Sequence, residues 1–317
     1  MAVLGANARA AARVLAGTPT ATKQAAIEAA ADAIAAARND IIQANVEDMA
    51  AARAARLNDA MLDRLVLDTA RIDAMVTGMR KVAALDDPVG RALGDWLRPN
   101  GLRIERVSVP IGVIGIIYES RPNVTADAGA LCLMSGNAAI LRAGSESFHS
   151  SHAIAVCLRR GLSAAGLPED CVQLVSTKDR AAVGILLVMD ENVDVIVPRG
   201  GRSLIERVKE ESRIPVLAHL DGICHVYVHA VADAEKARDV TFNAKMRRTG
   251  ICGAAETLLI DRAALALLPA ILAPLHEAGC EVRGDAEVCA LDSTAVAASA
   301  VDWDTEYLDA IISVAVV

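Results

Sequence analysis

The feature that most limits the fold is a series of short apolar runs spaced through the middle and second half of the chain. Candidate strands are Val113–Tyr118, Ala138–Leu141, Val172–Val175, Val193–Val197, His225–Val228 and Thr257–Ile260. Stretches of helical character lie between them: Ser151–Ala165, Arg180–Met189, Ser203–Glu211 and Ala232–Lys245. Strands that are apolar on both faces and alternate with helices form a parallel sheet covered by those helices. The expected fold class is therefore α/β. In such a sheet ligands bind beyond the carboxyl ends of the strands. Three of those ends are polar: Glu119-Ser120-Arg121-Pro122-Asn123, Arg142-Ala143-Gly144-Ser145-Glu146, and Arg199-Gly200-Gly201-Arg202-Ser203.

The part before residue 100 reads as helices. Ile27, Ala30, Ile34 and Ile41 follow helical spacing, and Asn58 or Asp59 is placed to cap a helix carrying Met61, Leu62, Leu65 and Val66. Asp86-Asp87-Pro88 ends the region. Leu102, Ile104 and Arg106 then alternate with their neighbours, Pro110 and Gly112 interrupt, and Val113–Tyr118 follows. This predicts a strand, a bend and a second strand.

A length of 317 residues suits two domains. Hydrophobic residues are 54% of the chain but aromatics only 2%, so the core must be built from Ala, Val, Leu and Ile. The net charge of −8, with no basic stripe, argues against nucleic acid as the main partner. The longest uncharged apolar stretches, 107–118 and 263–275, are too short to span a bilayer. The Ala-rich start contains Arg9 and Arg13 and lacks the order of a secretory leader. A soluble, cytoplasmic protein is expected, without membrane association. The seven cysteines are odd in number and none are spaced C-x-x-C, so neither a disulfide framework nor a metal site is expected.

Three segments carry candidate chemistry. Val193–Ser203 runs from a buried strand through Gly200 and Gly201 into a helix. It reads either as a turn offering N–H groups to a phosphate or as an ordinary strand-to-helix turn. Arg142, Ser145 and Glu146 follow another strand and could hold a ribose and its phosphate, or simply form a solvated turn. Cys252 lies between Gly250 and Gly253 before a buried strand, with Lys245, Arg247 and Arg248 upstream. Cations favour the thiolate, which is the nucleophilic form, and could equally hold a phosphate; a buried, inert cysteine is the competing reading.

The series Val109-Pro110-Ile111-Gly112-Val113-Ile114-Gly115-Ile116-Ile117-Tyr118-Glu119-Ser120-Arg121-Pro122-Asn123-Val124-Thr125 resembles the gamma-glutamyl phosphate reductases, within the aldehyde dehydrogenase superfamily. Ser135–Ala138, Val197–Gly201, His219–His225, Arg283–Asp285 and Asp302–Tyr307 match in the same order. The resemblance implies an aldehyde dehydrogenase-like fold. A parallel-sheet NADP-binding domain would cover residues 1–236, and an incomplete α/β catalytic domain 237–317. The strand pair near 101–120 would belong to an oligomerisation element.

The resemblance also implies reduction of L-glutamyl 5-phosphate by NADPH to L-glutamate 5-semialdehyde, a step from glutamate to proline. Cys252 would be the nucleophile and Asn123 the oxyanion donor. Arg142, Ser145, Glu146, Gly200, Gly201 and Glu306 would hold the cofactor. Arg121, Lys245, Arg248 and His219 would face substrate or phosphate. Homo-oligomers and contact with glutamate 5-kinase belong to the same expectation. Hydrolytic aldehyde dehydrogenases carry a Glu-Leu-Gly-Gly base segment where this chain has His219-Leu220-Asp221-Gly222, which suits an acyl-phosphate reductase that must not activate water.

The chain departs from the family pattern at Arg247, Thr249 and Gly253 around the cysteine, at Ala143 and at Ala218. It ends at Val317 where the family continues for a further stretch. A truncated non-catalytic relative that keeps nucleotide binding, and a coenzyme A-acylating aldehyde dehydrogenase, are the alternative expectations.

Overall fold

The computed structural model describes every residue except His219, and the backbone alone for Asp59 and Ala60. The chain divides into two compact units, Met1–Ala218 and His219–Val317.

The first unit opens with helices α1 (Ala2–Leu15), α2 (Thr20–Ala36), α3 (Arg38–Ala54), α4 (Asp59–Leu65) and α5 (Thr69–Ala83). The run expected from Ile27 to Ile41 is thus two helices, broken at Ala37. Asn58 caps α4 as expected, its side chain accepting from the Met61 N–H at 2.9 Å. Next come β1 (Ala92–Leu97) and β2 (Arg103–Val107), and then an alternating series. That series is β3 (Val113–Tyr118), α6 (Asn123–Met134), β4 (Ala138–Ala143), α7 (Phe148–Ala164), β5 (Val172–Leu174), α8 (Ala181–Leu187), β6 (Val195–Arg199) and α9 (Arg202–Glu211).

The four strands β3 to β6 form one parallel sheet in the order β5-β4-β3-β6. Its residues are buried because helices cover them: Val113, Tyr118, Ile140, Leu141 and Ile196 share one core with Ile27 and Ile34 of α2 and Leu158 of α7. Each such Ile or Leu stabilises the unit by about 1.5–3 kcal/mol. The chain builds β3, β4 and β5 outward and then returns to place β6 on the other side of β3. The order reverses between β3 and β6, and this switch point is where open α/β sheets bind ligands.

Two expectations need correction here. Residues 1–100 are not all helical, since Ala92–Leu97 is a strand. The strand at 103–107 does not pair with β3 but with β1, antiparallel, with Leu97 opposite Arg103. The ribbon is exposed along both strands, including Leu93, Trp96, Leu97 and Ile104. Without a buried face, no alternation marks β1 in the sequence.

The second unit contains β7 (Cys224–Val228), α10 (Ala234–Met246), β8 (Ala255–Ile260), α11 (Leu268–Glu277), β9 (Glu281–Gly284), α12 (Ala286–Leu291), β10 (Val296–Ala297) and β11 (Ile311–Val316). Its strands form a parallel sheet in the order β10-β9-β11-β8-β7. Leu258, Ile260, Ile271, Leu275, Ile312 and Val314 make its core. The division expected at 236/237 falls inside this unit, because β7 pairs with β8 rather than with the first sheet. No helix among the described residues is long and apolar enough to cross a membrane.

Candidate active site

In the first unit, the switch point brings the ends of β3 and β6 together. The Glu119 N–H donates to Arg199 O at 3.1 Å. The Glu119 carboxylate then reaches the head of α9, where its Oε2 accepts from the Gly201 N–H at 3.0 Å. A Cβ at Gly200 would lie 2.5 Å from the same Oε2, so a side chain there would displace the carboxylate. Gly200 and Gly201 therefore form the turn expected of them, and a carboxylate already occupies it.

The neighbouring strand end is also internally bonded. Glu146 Oε1 accepts from the Ser120 N–H at 2.6 Å and from Ser120 Oγ at 2.9 Å. This contact holds Ser120 in the left-handed region, at φ 43°. Ser145 is exposed beside it. Arg142 is only 7% exposed, with Nη1 donating to Ala143 O at 2.5 Å and Nη2 to Lys178 O at 3.3 Å. Burial lowers its pKa, while the Glu146 charge works the other way. The guanidinium is thus a tie between the end of β4 and the loop after β5 before it is a fork for a phosphate. Asn123, the first residue of α6, donates from Nδ2 to Asp127 Oδ2 at 2.9 Å. Burial raises the pKa of Asp127. Sequence reading passed over Asp127, although it stands one helical turn after Asn123. Arg121 is half-buried in the same segment.

In the second unit, Cys252 lies in the loop between α10 and β8, and its residue is exposed. Cys132, Cys157, Cys171 and Cys280 are buried. Burial pushes the Cys132 and Cys171 thiols up to about 12 and the Cys280 thiol to about 11, so these stay protonated. Cys224 is half-buried and donates its thiol to Cys252 O at 3.3 Å. Cys289 is also half-buried, which leaves Cys252 as the exposed thiol of the seven.

Gly222 is the point where three segments converge. A Cβ there would stand 2.4 Å from Cys252 O, 3.0 Å from Cys252 Cβ and 3.0 Å from Glu306 Oε1. The Glu306 oxygen is buried and has no hydrogen-bond partner among the described residues. Gly222→Ala must push the cysteine loop or Glu306 aside. The expected result is a fall in turnover of about 100-fold, with far-UV circular dichroism unchanged. Steady-state kinetics on the variant check it.

Glu306 is held from behind. The adjacent Tyr307 hydroxyl bonds Asp302 Oδ1 at 2.8 Å and Ser313 Oγ at 2.7 Å. Asp302 also accepts from Ser299 Oγ at 2.6 Å, Ser299 N–H at 2.7 Å and Arg283 Nη1 at 2.7 Å. The bonds from Ser299, with the Arg283 guanidinium, hold the Asp302 carboxyl well below the usual carboxylate range. A depressed folded pKa gives stability that is present above the unfolded value of about 3.9 and lost as pH falls below it. Acid denaturation of the native chain should therefore steepen below about pH 4, and Asp302→Asn should flatten that limb in a tryptophan-fluorescence titration.

Lys245 requires a correction. It does not face substrate: its side chain is 0% exposed and its Nζ pairs with Glu256 Oε2, also 0% exposed, at 2.7 Å. Helical spacing is the cause, because Ala237, Thr241 and Lys245 lie on one buried face of α10. Arg248 is exposed in the cysteine loop. His219 lies outside the described residues.

The aldehyde dehydrogenase family model matches residues 3–278. Gamma-glutamyl phosphate reductase of Rhodospirillum rubrum is 62% identical over 99% of this chain and 74% of its own length. That of Paramagnetospirillum magneticum is 60% identical over 100% of this chain and 75% of its own. The crystal structure of gamma-glutamyl phosphate reductase from Thermotoga maritima superposes with a TM-score of 0.89 at 40% identity, covering 99% of this chain and 76% of that one.

Proposed function

We propose, from the premise that the chain belongs to the gamma-glutamyl phosphate reductases of the aldehyde dehydrogenase family, that it reduces L-glutamyl 5-phosphate through a thioester on Cys252. It is an oxidoreductase acting on an aldehyde, and the family implies a nicotinamide cofactor. The proposal specifies NADPH as that cofactor and L-glutamate 5-semialdehyde and phosphate as the products.

The observation that carries the reading is the placement of Cys252. It is the exposed cysteine of the chain, in a loop packed against Gly222, which also lies close to Glu306, while four other thiols are buried and held protonated. The Cys252 thiolate attacks the acyl carbon of the substrate, a C–S bond forms, and the C–O bond to phosphate breaks. Phosphate leaves with the electron pair. On collapse to the aldehyde the C–S bond breaks and the thiolate is returned. Asn123 donates to the oxyanion, a role worth about 3–4 kcal/mol at comparable sites. Its bond to Asp127 fixes which end of the amide carries the donors. Arg121 and Arg248 supply positive charge for the phosphate.

The residues at the switch point fit a dinucleotide. The Gly201 N–H already receives a carboxylate, that of Glu119, which also fills the space beside Gly200 and would have to swing away for a phosphate. Gly200, Gly201, Ser145, Glu146 and Arg142 would hold the cofactor's phosphates and adenosine ribose, and Glu306 the nicotinamide ribose. When bound, the nicotinamide supplies the hydride.

The test is reduction of NADP⁺ by glutamate 5-semialdehyde on the purified chain, with and without phosphate. Turnover that disappears when phosphate is omitted is the expected result. Turnover that needs coenzyme A instead overturns the reading in favour of an acylating aldehyde dehydrogenase. A folded chain that binds NADPH and turns over neither overturns it in favour of a non-catalytic relative.

A further inference from the structure

The Lys245–Glu256 ion pair is completely buried, and the proposed mechanism makes no use of it. Stability is a poor reason for such a pair, because the attraction between buried charges seldom repays their lost hydration. The surroundings do not improve the account. Glu256 Oε1 has no hydrogen-bond partner among the described residues, and neither has the Thr241 hydroxyl one turn before Lys245 or the Thr257 hydroxyl. An apolar pair of similar volume would fill the same space at no loss.

The position of the pair does give a reason. Lys245 ends the buried face of α10 and Glu256 is the second residue of β8, so the pair joins the two stems of the loop that carries Cys252. Between the stems, Arg247, Arg248, Gly250, Cys252 and Gly253 are exposed. A turn bond from the Ala254 N–H to Ile251 O lies within the loop, and Cys252 O takes the Cys224 thiol. Two glycines add freedom that the stems must offset. Lys245 Nζ also stands 6.0 Å from the centroid of the Tyr307 ring, next in sequence to Glu306. One ammonium group therefore bonds the stem of the Cys252 loop and lies near the ring that follows Glu306.

We propose that Lys245 and Glu256 are positioning residues for the nucleophile. Their ion pair fixes the stems of the loop and thereby holds the Cys252 thiol in place beside Gly222 and Glu306. The proposal rests on the reading of Cys252 as the nucleophile.

The test uses the full chain carrying Lys245→Met with Glu256→Leu, which removes both charges together. Amide hydrogen exchange of the peptide covering 247–254 should become about tenfold faster or more, with the melting temperature unchanged or raised. Turnover should fall about tenfold or more while KM for NADP⁺ stays within about twofold. A folded double variant with native loop exchange and native turnover overturns the proposal, since a purely structural pair would leave both unmoved. If the double variant does not fold, Glu256→Gln keeps an acceptor for Lys245 and removes the ion pair; native loop exchange in that folded variant also overturns it. Full activity in Cys252→Ser removes the nucleophile reading itself, and with it this proposal, whatever the exchange rates.

Discussion

Cys252→Ala is expected to lower phosphate-dependent oxidation of glutamate 5-semialdehyde by about 10⁴-fold or more relative to the parent chain. The other six thiols cannot substitute. Four are buried, and Cys224 and Cys289 are half-buried with their thiols bonded to backbone carbonyls. The fold should be untouched, because an exposed side chain between two glycines supports no core. NADPH binding, followed by fluorescence, should therefore be native in the variant. Residual turnover near the parent rate would remove Cys252 from the mechanism.

The second large effect is on stability. Lys245→Met alone leaves the Glu256 carboxylate buried with its one cation gone, and its second oxygen already lacks a partner. Breaking a buried pair in this way costs about 3–5 kcal/mol. The second unit should unfold at markedly lower urea than the parent. Adding Glu256→Leu should recover the loss, because the uncompensated charge goes with it. A single variant as stable as the parent would overturn this expectation.

The sequence reveals the strands that are buried and hides those that are not. Val113–Tyr118 is a strand over the residues expected, since both its faces are covered and its run of apolar residues has one reading. Ala92–Leu97 was not recognisable. Its residues face solvent, and Gly94 and Asp95 in its middle are residue types depleted in strands. The site shows the same division. Gly200 and Gly201 lie in a strand-to-helix turn and Cys252 in a loop before a strand, as expected, because turns and loops are written in local residues. Lys245 was misplaced because a charge is ordinarily read as exposed. The signal against that reading was present: Ala237, Thr241 and Lys245 follow at intervals of four, and Glu256 falls within the run Ala254–Ile260. Asp127 and Asp302 act through side chains of other residues, and nothing in a linear pattern pairs them.

The carboxylate of Glu119 on the Gly201 N–H has a consequence for how binding is measured. The head of α9 carries a tethered anion of its own, held at high effective concentration by a chain only a few bonds long. A phosphate arriving there enters an exchange of one anion for another. The affinity read from a titration is then the difference between two holds on the same amides, and it understates the grip of the glycine turn by whatever Glu119 gives up.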